Sequence, residues 1–214
     1  MSWSGSPLRS GRTDSAAYDL AMLEAHVQHF FFESADLINQ VADLLSAPVA
    51  DAAEAMVACL TAGGKLLVCA QRPDMMLAHS LTDALLHGFE RPRPGLAALA
   101  LNPSCSAPGS GASDDEWAVQ VRTLGQPGDL LVVFAGTARD DVSLLAAVAE
   151  AHAHEISVIL LTGGEPGHWP DALAETDIWI PVAHERPLRV RELHGLILHA
   201  LCEAIDLQLL GEAE

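Results

Sequence analysis

Basic residues are scarce in this chain. Lys and Arg number 11 against 29 Asp and Glu, a formal charge of -18, and such a surface repels a phosphate backbone instead of gathering its counterions. Direct nucleic-acid binding is not expected, whereas a basic protein partner or a soluble assembly would suit the charge. The cysteines Cys59, Cys69, Cys105 and Cys202 form no CxxC pair and show none of the short spacings of tetrahedral zinc sites. They read as reduced thiols in a reducing compartment. No apolar run approaches the roughly 20 residues that span a bilayer. Met1 to Ser15 carries Ser, Gly and Arg without the apolar core of a signal segment. A cytoplasmic protein with no membrane contact is therefore expected. Internal repeats are absent, and the one low-complexity stretch is Pro103 to Ser113.

What is present is enough for one well-buried core: 214 residues, 50% of them hydrophobic. Residues 1–15 read as a flexible start and 16–214 as a single domain. From Ala16 to Leu45 the apolar positions Leu20, Leu23, Val27, Phe30, Phe31, Ala35, Ile38, Val41 and Leu45 recur at three- and four-residue steps, the period of a long amphipathic helix. Pro48 falls where a second helix could begin, running to Gly63-Gly64. After these two leading helices, apolar runs at Lys65–Ala70, Leu96–Leu101, Asp129–Ala135, Ile156–Thr162 and Asp177–Val182 alternate with helical patterns. Near-continuous apolar runs are strands buried on both faces. Their alternation with helices predicts an α/β fold, a three-layer, doubly wound, five-stranded parallel sheet. Ligands of such sheets bind beyond the carboxyl ends of the strands, here after Ala70, Leu101, Ala135 and Thr162.

Several stretches carry a family likeness: Gly128-Asp129 opening a strand, Leu161-Thr162-Gly163 closing the next, Arg189-Val190-Arg191-Glu192-Leu193-His194 starting the last helix, and Arg93-Pro94-Gly95. In order and spacing the chain resembles the SIS (sugar isomerase) domain from about Leu23 to Leu210. Within that family it is most similar to the phosphoheptose isomerases and the DnaA initiator-associating protein. The resemblance implies a homotetramer whose leading helices pack between subunits, with sites formed where subunits meet.

It also implies site residues. The isomerases have a glycine-rich turn after the first strand, where this chain has Cys69-Ala70-Gln71-Arg72-Pro73-Asp74; the glycines are gone and Pro73 lacks an N–H. Their serine-rich phosphate loop is matched by Ala135-Gly136-Thr137-Ala138-Arg139-Asp140, leaving Thr137 and Arg139 as ligand-binding candidates. Asp140 and Asp141 would cap the following helix with the protein's own carboxylates. In the gapless register the family's catalytic His falls on Ser80, a further ligand-binding candidate, and its Glu on Ala84. A one-residue shift puts His79 and Asp83 there instead, still i and i+4. On the last helix the family's Gln position holds Arg191, a candidate for binding, and its His position is kept as His199. Arginine does not ligate a cation, so no metal site is expected, and zinc enters only if the shifted register holds.

These replacements predict a non-catalytic member of the family. It would act through oligomerisation and protein or phosphosugar binding, with a DnaA-like protein as partner. The alternative is a sedoheptulose 7-phosphate aldose–ketose isomerase using His199 with His79 or Asp83 as catalytic groups.

Overall fold

The computed structural model describes the backbone of residues 11–102 and 116–212, with side chains from residue 19 onward within them. The flexible start expected over residues 1–15 falls mostly outside the described residues; its last part, from Gly11, is helical. The low-complexity stretch from Pro103 to Ser113 lies outside them as well.

The chain forms two compact units, residues 1–40 and 41–214, and helix α1 (Gly11–Thr61) contributes to both. The first unit is helical throughout its described part. Its side chains Leu20, Met22, Leu23, Val27, Phe30, Phe31, Phe32 and Ile38 are exposed, and His29 pairs with Glu33 at 3.4 Å.

In the second unit α1 corrects the expectation of two leading helices. It passes through Pro48 without a break. An internal proline forfeits one i→i−4 bond and costs about 3 kcal/mol. Leu45, Val49, Ala52, Ala53 and Met56, on both sides of Pro48, are all buried, and their packing outweighs that loss.

The sheet follows the predicted plan. Strands β1 (Leu66–Ala70), β2 (Ala98–Ala100), β3 (Leu130–Gly136), β4 (Ser157–Gly163) and β5 (Ile178–Val182) are all parallel, in the order β2-β1-β3-β4-β5. Helices α2 (Met75–His87), α3 (Glu116–Leu124), α4 (Val142–Ala153), the short α5 (Trp169–Ala172) and α6 (Pro187–Leu210) connect and cover them. Every residue of β1 and β3 is buried. One face of the sheet packs Leu67, Cys69, Leu131, Val133, Val158 and Leu160 against Trp117 and Val121 of α3 and Leu144, Ala147 and Val148 of α4. Helices α2 and α6 touch each other and cover the opposite face, α2 over β1 and α6 over β3 and β4. Gly163 shows why the sequence ends β4 on glycine: a Cβ there would sit 2.4 Å from Val190 Cγ1 of α6.

By length and hydropathy alone, two helical stretches, Asp19–Thr61 and Pro187–Leu210, reach what a membrane crossing requires. This corrects the expectation that no segment does. In α6 the apolar residues Val190, Leu193, Ile197, Leu198, Leu201 and Ile205 are spent on the protein's own core.

With both faces of the sheet dry, charge collects at its edges. At the amino edge Asp129 accepts from Lys65 N at 2.9 Å, Lys65 Nζ at 2.5 Å and Gln126 N at 2.8 Å, which explains the Gly-Asp pair before β3. Asp177 does the same for β4 and β5, accepting from Val158 N at 2.8 Å and Ala174 N at 2.8 Å. It also pairs with His152 Nε2 at 2.7 Å.

Between α2 and α6 lies a buried ion pair, Arg93 Nε to Asp206 Oδ1 at 2.5 Å, with both side chains almost fully enclosed. Arg93 also donates to the carbonyls of Leu85 at 2.7 Å and Ala84 at 3.1 Å, closing the carboxyl end of α2. Arg93→Met alone strands a buried carboxylate and should destabilise by about 3–5 kcal/mol, whereas Arg93→Met with Asp206→Leu should recover most of that loss. Urea denaturation of the two variants beside the native chain measures the difference.

Candidate functional site

The strand order reverses its direction of growth between β1 and β3, and the carboxyl ends of those strands are where ligands of doubly wound sheets bind in a crevice. In this chain the crevice is built by the turn after β1. Gln71 N donates to Phe134 O at 2.8 Å, tying the turn to β3, and Arg72–Asp74 forms a single 3-10 turn leading into α2. Asp74 is 3% exposed. One of its oxygens accepts from Arg191 Nε of α6. The other, with Gln71 Oε1, lies over Gly136 at the end of β3: a Cβ on Gly136 would meet Asp74 Oδ2 at 2.4 Å and Gln71 Oε1 at 2.9 Å, and the backbone there has φ +57. Arg72 reaches to the other layer, where its Nη2 bridges both oxygens of the buried Glu116 at 3.0 and 2.8 Å.

The candidate residues fall in three places. Arg191 is in the crevice, bound to Asp74. Thr137 and Arg139 follow β3, but Arg139 pairs outward with Glu165 at 3.2 Å. Asp141 caps α4, accepting from Ser143 N at 3.1 Å and Leu144 N at 3.2 Å, while Asp140 pairs with His168 at 2.5 Å. His79, Ser80 and Asp83 line one open depression of about 640 Å³ on α2, with Met76, Thr82 and Leu86. Asp83 is paired there with His87 at 3.0 Å. His199 stands apart from them on α6, exposed and stacked on Phe89 with ring centroids 5.4 Å apart. Within one chain no hydrogen bond or ion pair joins His199 to His79 or Asp83.

In the gapless register a zinc ion, implied by the family likeness, does not fit these residues. Arg191 occupies the position of a ligand and is engaged by Asp74. Ala84 replaces the carboxylate and is engaged through its carbonyl by Arg93. Among the described residues no group of three or more His, Cys, Asp or Glu converges on a metal position. The thiols are equally quiet: Cys59, Cys69 and Cys202 are free and buried, and burial pushes Cys59 up to about 11 and Cys202 up to about 12.

Neither Asp74 nor His194 is among the site residues that the sequence singles out. Asp74 carried one signal, a carboxylate standing at the start of a helix just past a strand. His194 is fully buried beneath the crevice, with Nε2 3.3 Å from Thr162 O and its ring tilted against Phe134. Its Nδ1 has no partner. Burial lowers its pKa from 6.5 to about 4, against smaller opposing effects of the Thr162 carbonyl and Asp74. The unfolded chain therefore binds a proton at this residue that the folded chain refuses between those values. Its contribution to stability is complete above pH 6.5 and falls, by on the order of 3 kcal/mol, as the pH drops towards 4. His194→Phe should flatten that part of the stability profile, measured by urea denaturation across pH 4 to 7.

Comparison with known proteins agrees with the layout. A SIS domain profile matches residues 29–163. A phosphoheptose isomerase of Methylibium petroleiphilum is 44% identical over 199 residues, covering 91% of this chain and 99% of the relative. Two solved phosphoheptose isomerases superpose on the chain. That of Francisella tularensis has a TM-score of 0.78 at 35% identity over 85% of this chain and 97% of its own. That of Neisseria gonorrhoeae has a TM-score of 0.76 at 34% identity over 86% and 98%. Full-length similarity to proteins named as isomerases overturns the expectation of a non-catalytic protein built on binding and oligomerisation. Replaced motif residues were too narrow a basis for it, because they sample a few positions of a site that the rest of the chain also shapes. The chain belongs to the SIS domain family, alongside the phosphoheptose isomerases.

Proposed function

We propose that the chain is an aldose–ketose isomerase of a phosphorylated sugar, with sedoheptulose 7-phosphate as substrate. The observation that carries this reading is the 44% identity along 99% of a relative named phosphoheptose isomerase. The reaction needs no oxidant or reductant. A base takes a proton from C1 of the ketose, the electron pair forms the C1–C2 double bond of an enediolate, and an acid protonates the oxygen on C2. Return of a proton to C2 and loss of the C1 hydroxyl proton complete the aldose. Such proton transfers suit a carboxylate and an imidazole. Asp83 with His79 on α2, and His199 on α6, are the exposed groups of these types that match the family's positions in the shifted register.

Because His199 and the α2 pair do not meet within one chain, the working site is read as formed between chains of a homotetramer. The apolar side chains exposed along the first part of α1 support that assembly, since a monomer rarely leaves so many on one element.

Purified protein given sedoheptulose 7-phosphate in D2O should form the aldose with deuterium at C2, and His199→Ala should lower kcat about 100-fold or more. Neither product nor exchange in the native chain would overturn the reading. Sedimentation should report about four times 22.6 kDa. Leu23→Asp with Phe31→Asp should shift it to a smaller species.

A further inference from the structure

The loop after β3, residues 137–141, is tied down along its length, and only partly by its own neighbours. Near its start Ala138 N donates to Ala135 O at 3.1 Å, and at its end Asp141 caps α4. Its middle is held by a different segment, residues 164–169 after β4. Trp169, fully buried, donates from Nε1 to Ala138 O at 2.7 Å. His168 meets Asp140 Oδ1 through its Nδ1 at 2.5 Å and through its backbone N at 3.3 Å. Arg139 Nη1 pairs with Glu165 Oε2 at 3.2 Å. The two backbones touch as well: a Cβ on Gly167 would meet Arg139 O at 2.4 Å.

These contacts have a direction. In the order β2-β1-β3-β4-β5 the segment after β4 lies across β3 from the turn after β1. Arg139 and Asp140 are therefore drawn towards β4, away from the mouth between β1 and β3. Thr137, half-buried beside Gly136, keeps a hydroxyl with no hydrogen bond among the described residues. Exposed ion pairs hold little by themselves. The anchor is the Trp169 indole, which is part of the core under α4, and the ion pairs orient what it carries.

We propose that residues 164–169 are a strap that sets the loop after β3 for substrate, with Trp169 and His168 as its positioning residues. Trp169 fixes the path of the loop through the Ala138 carbonyl. His168 keeps the Asp140 carboxylate on the β4 side, so that an anionic substrate at the mouth meets Thr137 and not a like charge. That the substrate is a sugar phosphate rests on the isomerase reading; the strap itself does not.

Two measurements test this, with circular dichroism confirming that each variant is folded. The first is amide hydrogen exchange, read by mass spectrometry on peptides covering residues 137–141. Trp169→Phe keeps a ring in the core and loses the bond to Ala138, so exchange there should quicken about fivefold or more. Trp179→Phe is the control: it loses a comparable bond, Nε1 to Thr162 Oγ1 at 2.9 Å, without touching the loop, and should leave that exchange unchanged. Equal exchange in Trp169→Phe and the native chain, or equal quickening in Trp179→Phe, would overturn the strap.

The second is turnover of sedoheptulose 7-phosphate. His168→Ala frees the Asp140 carboxylate and should raise KM about tenfold with kcat within about twofold, because the group released acts on binding and not on the reacting carbons. Adding Asp140→Asn to His168→Ala removes the freed charge and should restore the native KM, a recovery that simple damage to the fold would not give. An unchanged KM in His168→Ala, or no recovery in the double variant, refutes the positioning role while sparing the isomerase reading. A native chain without turnover, with quickened exchange in Trp169→Phe alone, would do the reverse: the strap stands and the isomerase reading falls.

Discussion

A parallel sheet that is dry on both faces admits no charge between its strands. In this chain that constraint decides where the buried charged groups stand. Strands β1 and β3 are buried along their whole length, and the buried carboxylates Asp74, Glu116, Asp129 and Asp206 lie at the ends of strands or in the seams between helices. At the amino edge Asp129 and Asp177 take strand and turn amides that would otherwise lack acceptors. At the carboxyl edge Asp74 and Glu116 take guanidiniums. The first arrangement leaves its donors engaged, whereas the second leaves donors over. An edge with donors to spare is where a polar ligand gains most.

The sequence made the sheet readable because burial on two faces leaves a simple trace: runs without polar interruption, ended by Gly, Asp or Pro. All five strands are found where that trace puts them, whereas the short α5 between β4 and β5 was not expected. Pro48 misled for a physical reason. A proline is a strong local signal, and the buried contacts that override it are made by residues far along the chain, which no local reading counts. The site was legible in part. The helical period puts His79 and Asp83 on one face of α2, and they do line one depression. The Arg191–Asp74 contact was not legible, since its members lie 117 positions apart and neither residue type is unusual where it stands. His194 escaped for a related reason: a histidine in a helix shows no sign of what is stacked over it.

The same limitation explains the functional misreading. Lost glycines, a lost serine loop and an alanine at a carboxylate position each remove one way of doing chemistry, and adding the removals together gave a protein without any. The fold offers other groups at the same edge, and these became visible only once distant residues were brought side by side. Relatives matching along nearly their whole length weigh the chain as a unit, so they are less sensitive to which position carries which group.

Helices α2 and α6 are joined by two ion pairs, Asp74–Arg191 where α2 starts and Arg93–Asp206 where it ends. The two differ in how they are anchored. Arg93 also holds the carbonyls of Ala84 and Leu85, whereas Arg191 holds Asp74 alone. Along its roughly 20 Å, at 1.5 Å per residue, α2 is thus held by more bonds at its carboxyl end than at its amino end.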